Sequence, residues 1–290
     1  MKTKRLSAVC ILLILTLLVG LPGGRTIPRS ASGRPDRWSQ APVKPLIPEK
    51  LVYGTSAAGR ELVAWRIGAG KNVMILTFAM HGYEDGFDRD GQLLVDTADR
   101  LLETLTVCGE VLVEPGNWTV YILPSLNPDG LLDGWTCDGP GRCTVGRGID
   151  LNRSFPYRFA VCDNARNCSG SQPLSAPEAA ALADFTRSVR GRGANILIDV
   201  HGWYEQTLVA GGTDNPLFRA FHSYFPDNYH TSLEKGYGYY TAWAAYELGY
   251  DACLFEFPPA KDGDAFRAAN CDGRFIQTVS FLLRTYTAGT

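Results

Sequence analysis

The sequence lacks an excess of charge of either sign: 28 Lys and Arg against 30 Asp and Glu leave a formal net charge of −2. Without a basic surplus it has no electrostatic footprint for nucleic acid or an anionic bilayer, so neither is expected as a partner. It also lacks any Cys-x-x-Cys pair among its eight cysteines, which argues against a thiolate metal site. No internal repeat, low-complexity tract or heptad run is present, which excludes solenoids and coiled coils. The apolar stretch over residues 9–21 follows Lys2, Lys4 and Arg5 and falls short of the ~20 residues a bilayer requires. Residues 1–24 therefore read as an export signal or an N-terminal anchor, and the protein as secreted.

An oxidising destination suits the seven cysteines outside that leader. The candidate pairs are Cys137 with Cys143, Cys162 with Cys168, and Cys253 with Cys271, with Cys108 left over. The apolar surroundings of Cys108 and Cys253 equally suit buried thiols. Asn117-Trp118-Thr119 and Asn167-Cys168-Ser169 match a glycosylation pattern that has meaning in a eukaryotic host.

What is present is an ordinary globular composition, 45% apolar and 20% charged over 290 residues. Residues 25–50, rich in Pro, Ser and Arg, read as a linker, and 51–290 as the folded domain. Apolar patterning predicts strands over 51–53, 61–67, 73–80, 118–123, 195–200 and 252–257, with a turn over 54–59. Helical spacing predicts helices over 91–106, 177–189, 241–248 and 265–285. Ser175 is the expected N-cap of the second, with Glu178 three residues on. Residues 124–130 are turn formers, and a long loop is expected to run from there to Asp150. Alternating strands and helices imply an α/β fold: a mixed, largely parallel twisted sheet of about eight strands with helices on both faces.

His81, Asn127, His201 and Glu256 all fall at or just past strand ends, where α/β sheets form their sites. His81 and Glu84 stand three apart after an apolar run, and His201 follows another. Two imidazoles and a carboxylate, with one position open, form the ligand set of a catalytic zinc, which acidifies its water toward about pH 7. Glu256 is a carboxylate inside an apolar strand, costly unless it is paired or functional. Asn152 and Arg153 offer an amide and a planar guanidinium suited to a carboxylate, and Asp150 is placed to orient a ligand histidine. His222 and His230 lack ligand spacing and read as surface or packing residues.

In this order the residues resemble the zinc carboxypeptidase family that includes carboxypeptidase A. The matching motifs are Tyr53-Gly54-Thr55-Ser56, Gly59-Arg60, His81-Gly82-Tyr83-Glu84, Asn127-Pro128-Asp129-Gly130, residues 148–156, residues 175–178, Asp199-Val200-His201 and Phe255-Glu256. The resemblance implies one Zn2+ held by His81, Glu84 and His201, with Glu256 as general base for the attack of a zinc-held water. It implies Asn152 and Arg153 as clamp for the substrate's terminal carboxylate, and Asp150 as partner of His81. Arg142 is the expected oxyanion residue, with Arg147 as competitor. Tyr237, from the set Tyr237, Tyr239 and Tyr240, is the expected tyrosine over the substrate, and Trp243 matches the helix before the base.

Thr241 and Leu254 fall at expected side-chain pocket positions, which favours a neutral or apolar terminal residue. Tyr83 stands where pancreatic-type members carry Arg. No pro-domain is recognised before Leu51, which likens the chain to short bacterial members, some of which cleave γ-D-glutamyl–diaminopimelate bonds of peptidoglycan stem peptides. The expected substrate is thus a peptide or cell-wall peptide with a free carboxylate, the expected activity that of a metallocarboxypeptidase or stem-peptide amidase. An amino-acid deacylase shares His-x-x-Glu and an Asp-Leu-Asn-Arg-x-Phe loop, but Asn127-Pro128-Asp129-Gly130 and Phe255-Glu256 argue against it. Intact ligands and Glu256 argue against an inactive peptide-binding homologue.

Overall fold

The computed structural model describes residues 45–112 and 117–286; the expected leader and most of the expected linker lie outside the described residues. Eight strands form one mixed sheet: β1 (Glu49–Thr55), β2 (Glu61–Gly68), β3 (Asn72–Phe78), β4 (Trp118–Leu123), β6 (Asn195–Gly202), β7 (Gln206–Val209), β8 (Tyr229–Ser232) and β9 (Asp251–Phe257). Their order is β1-β2-β4-β3-β6-β9-β7-β8, with the central block β4-β3-β6-β9 parallel. The extended segment β5 (Thr136–Cys143) stays outside that sheet.

Side-chain alternation along a strand explains the two cores. Met74, Leu76 and Phe78 of β3 and Ile196, Ile198 and Val200 of β6 face one cluster, with residues from α1 (Gly91–Leu112), α4 (Pro216–Tyr224), α6 (Gly263–Ala268) and α7 (Cys271–Thr285). Val73, Ile75 and Leu197 face the other, with α3 (Pro177–Ser188) and α5 (Tyr240–Leu248). Burial on both faces is why these strands read as unbroken apolar runs.

The structure departs from the sequence expectation in several places. The 124–130 run holds more than turns: Pro128 opens a short helix, α2 (Pro128–Asp133), which Asn127 caps by accepting from the Gly130 amide at 2.9 Å. The long loop to Asp150 contains β5. Ser175 does not cap α3: Ala176 holds that position, while Glu178 accepts from the Ala57 amide at 2.8 Å, stapling the β1–β2 turn instead. The final helix is two, α6 and α7, separated at Asn270, whose φ of 51° is incompatible with a continuous right-handed helix. The pairings of Cys137 with Cys143, Cys162 with Cys168 and Cys253 with Cys271 are not formed.

Candidate active site

The parallel block ends where the site begins. Beyond β3, Ala79 takes a φ of 44°, strained for a residue with a Cβ, and the Leu126 and Asn127 amides donate to its carbonyl. This sharp turn places His81 at the sheet's carboxyl edge. Gly82 follows because a Cβ there would come within 2.3 Å of the Leu131 amide nitrogen. His201 sits in β6 directly opposite Glu256 in β9, so the parallel register alone brings these two together.

His81, Glu84 and His201 each turn one ligand atom inward, all within 4.8 Å of one another and buried. His81 Nδ1 lies 3.1 Å from Glu84 Oε2, and His201 Nδ1 3.2 Å from Glu84 Oε1. Each imidazole turns its Nε2 to another buried carboxylate: His81 to Asp150 Oδ1 at 3.0 Å, His201 to Asp199 Oδ2 at 2.9 Å. Asp199 is fixed in turn by the Thr77 hydroxyl at 2.7 Å. Histidines that ligate a metal hold the other ring nitrogen to a carboxylate in this way. Glu84 Oε1 is buried yet has no well-directed hydrogen bond. Two Nδ1 atoms and a carboxylate converging within one ion's reach fit zinc.

Electrostatics set the charge state. Burial opposes ionisation of Glu84, but His81 and His201 outweigh it and hold the carboxyl well below its usual range. Burial likewise opposes the charged form of His201, yet the Asp199 and Glu84 carboxylates raise its pKa well above 6.5. Asp150 is held down against burial by His81, Arg142 and Arg153. Glu256 is the exception: burial dominates, Glu84 adds to it, and the carboxyl is pushed up to about 7. Its Oε2 has no partner among the described residues.

These groups open into a cavity of about 290 Å³. His81, Glu84, His201 and Glu256 line it together with Asn152, Arg153 and Tyr239 and with Asp85, Arg142, Arg166, Asn167 and Tyr204. Asn152 and Arg153 lie on a 3₁₀ turn, Leu151–Arg153, capped by the Asp150 side chain. Asn152 Oδ1 accepts from the Tyr240 amide at 3.1 Å, and the Arg153 guanidinium stacks on Tyr239, 4.6 Å from the ring centroid.

A model of the zinc carboxypeptidase family matches residues 43–242. The chain belongs to the zinc carboxypeptidase family. Among relatives, Bacteriocin BCN5 of Clostridium perfringens is 35% identical over 237 residues, covering 80% of this chain and 25% of that protein. Human Carboxypeptidase O is 36% identical over 84 residues, 25% of this chain and 22% of that protein. The chain thus spans about a quarter of the length of the curated relatives it matches. Bovine thrombin-activatable fibrinolysis inhibitor, solved with tick carboxypeptidase inhibitor, shares the fold at a TM-score of 0.66 and 18% identity, covering 96% of this chain and 95% of that one. Murein-tripeptide amidase MpaA from Escherichia coli O157 does so at 0.59 and 21%, covering 88% and 98%.

Within this zinc carboxypeptidase fold the arginine alternatives separate in space. Arg142 is buried in the cavity wall, 3.7 Å from both Glu84 and Asp150. Arg147 instead donates to the Ser175 carbonyl at 2.7 Å and does not line the cavity. Tyr237 is exposed and outside the cavity wall, its hydroxyl accepting from Arg158 at 2.8 Å. Tyr239 lines the cavity and Tyr240 is buried, bonded to the Thr186 hydroxyl at 2.7 Å. Leu254 lines the cavity with Leu208 and Gln206, whereas Thr241 is fully buried and no part of its wall. His222 and His230 pack against Phe218.

Sequence reasoning gave no role to three supporting side chains: Asp199, which it quoted within a motif, Arg166 and Asp90. Asp199 stands two residues before His201, a spacing that in a strand returns to the same face, and that was the available signal. Asp90 precedes α1 and reads as an ordinary helix cap. Its carboxylate accepts instead from the Glu84 amide at 2.6 Å, the Gly86 amide at 2.8 Å and Trp203 Nε1 at 2.6 Å. Asp90→Ala strands these three donors and the Phe87 amide at 3.4 Å, each hydrogen bond worth about 1 kcal/mol. It is expected to cost roughly 2–4 kcal/mol of stability in urea unfolding and to weaken zinc binding by loosening Glu84.

Proposed function

We propose that this chain is a secreted zinc metallocarboxypeptidase, with one Zn2+ held by His81, Glu84 and His201, that removes residues from the free carboxyl end of peptides. The observation that carries the reading is the set of groups that share one cavity: a guanidinium and an amide, the His81, Glu84 and His201 cluster, and an unpartnered carboxylate opposite His201. A zinc ion there supplies Lewis-acid chemistry, polarising a carbonyl and acidifying water.

The protein's own residues do the rest. Arg153 is partly open to solvent, spends Nη1 on the Asn152 carbonyl, and is steadied by Tyr239 beneath it; with Asn152 it receives the terminal carboxylate. Glu256 takes the proton from the attacking water and returns it to the departing amine nitrogen as the C–N bond breaks. Arg142 faces the charge that develops on the carbonyl oxygen. Leu208 and Leu254 at the cavity wall favour a neutral or apolar terminal side chain. A second reading, stem-peptide amidase, draws support from the fold shared with the murein-tripeptide amidase and from the polar wall of Asp85, Arg166, Asn167 and Tyr204.

Mass spectrometry of digests tests both. The purified protein, with zinc or chelator, is offered free-ended peptides, their C-terminally amidated twins and γ-D-glutamyl–diaminopimelate stem peptides. Chelator-sensitive loss of single residues from the free-ended set alone is the expected result. Cleavage confined to stem peptides selects the amidase, and silence on all three, with zinc bound, overturns the enzyme reading.

A further inference from the structure

Arg142 has a long stem and several acids to choose from. Glu84 and Asp150 each lie 3.7 Å from its guanidinium, but both already serve the two histidines. The third carboxylate is Asp85, whose Oδ2 lies 3.9 Å from Arg142 Nη1 and whose side chain, at 22% exposed, is nearer solvent than Glu84 at 2%. The other Asp85 oxygen is held by Arg166 Nη2. Arg166 Nη1 in turn reaches Asp138 Oδ1 at 3.3 Å and donates to the Cys137 carbonyl at 3.1 Å.

Cys137, Asp138 and Arg142 all belong to β5. The contacts therefore close a ring that leaves the β5 backbone through Arg166, passes Asp85 and returns through the Arg142 side chain. Asn127 Nδ2 pins the main chain at the same point, donating to the Arg142 carbonyl at 3.3 Å. Because Asp85 follows Glu84 in the chain, the ring also ties the ligand turn to β5. A planar guanidinium can bridge two partners at once, as Arg166 must here and as a Lys ammonium does poorly.

We propose that Asp85, clamped by Arg166, is a positioning residue that, together with the buried Glu84 and Asp150, holds the Arg142 guanidinium toward the reacting carbonyl. This rests on the role given to Arg142 in the proposed function. Residues that act as a unit are non-additive, so a double-mutant cycle reads the coupling.

The cycle uses the zinc-loaded protein and whichever peptide the digest selects. Loss of an oxyanion donor costs about 10²–10³ in kcat; Asp85→Asn, which only misaims the donor, is expected to cost about tenfold in kcat with KM within about twofold. Asp85→Glu is expected to recover most of that loss, and zinc content to stay unchanged. In the Arg142→Ala background Asp85→Asn is expected to cost less than about twofold. Equal losses in both backgrounds, or a raised KM with kcat intact, overturn the proposal. Arg142→Ala with kcat unharmed overturns instead the reading of Arg142. Should Asp85→Asn fail to fold, Arg166→Gln releases the clamp from its other side and must give the same kinetic split.

Discussion

Glu256→Gln is expected to lower kcat by roughly 10²–10⁴-fold, the usual contribution of a general base, while zinc content and KM stay close to those of the unaltered protein. The glutamine keeps the shape and the place in β9 opposite His201 but cannot take a proton. Burial raises the Glu256 carboxyl to about 7, so it is a far stronger base than an exposed glutamate. Ionisation must precede proton uptake, so kcat/KM falls as pH drops through the pKa of this group. A divalent cation nearby favours the carboxylate and moves that acid limb below 7. Steady-state kinetics between pH 5 and 8, with metal analysis on the same samples, checks both claims. A variant keeping more than about a tenth of kcat would assign the proton to another group.

Why this carboxylate was legible in the sequence, and Asp90 was not, is a matter of contrast with surroundings. Glu256 interrupts the apolar run of β9, and a charge in such a run is costly. The same contrast exposed the central strands, because a strand covered on both faces has no polar neighbours to blur it. His81, His201 and Asn127 were found from the carboxyl ends of those strands.

The strands β7 and β8, at one side of the sheet, escaped notice for the opposite reason. Each is four residues long, too short for a strand's alternation to accumulate. Ser175 is not the cap because the helix starts one residue later than expected, with Ala176 in that position, and Glu178 meets the distant Ala57 amide, a tertiary partner that leaves no local trace. The tyrosines of the Gly-rich loop were separable only in space: alternate positions 237 and 239 differ in whether Arg158 or Arg153 takes the ring.

Zinc is expected to stabilise the protein more at alkaline than at acid pH. The Asp199 and Glu84 carboxylates raise His201 well above 6.5 in the metal-free protein, outweighing the burial that opposes its charge. Protonated His201 then stabilises the metal-free fold: the contribution is complete below the unfolded pKa near 6.5 and is lost as pH rises through the folded pKa. The ion binds the deprotonated imidazole, so it must displace that proton, and apparent affinity rises up to about tenfold per pH unit over the same window. The two effects act in one direction on the difference between loaded and stripped protein. With chelator, Tm should drift down from pH 6.5 upward; with zinc it should hold or rise, and at a concentration 100 times Kd the ion adds about 2.7 kcal/mol. Thermal melts across pH 5.5 to 8.5 with zinc and with chelator measure the gap. His201→Gln and His81→Gln should each abolish it, since removing one of the imidazoles leaves too few ligands for a tight site. A gap that narrows toward alkaline pH would remove His201 from the ligand set.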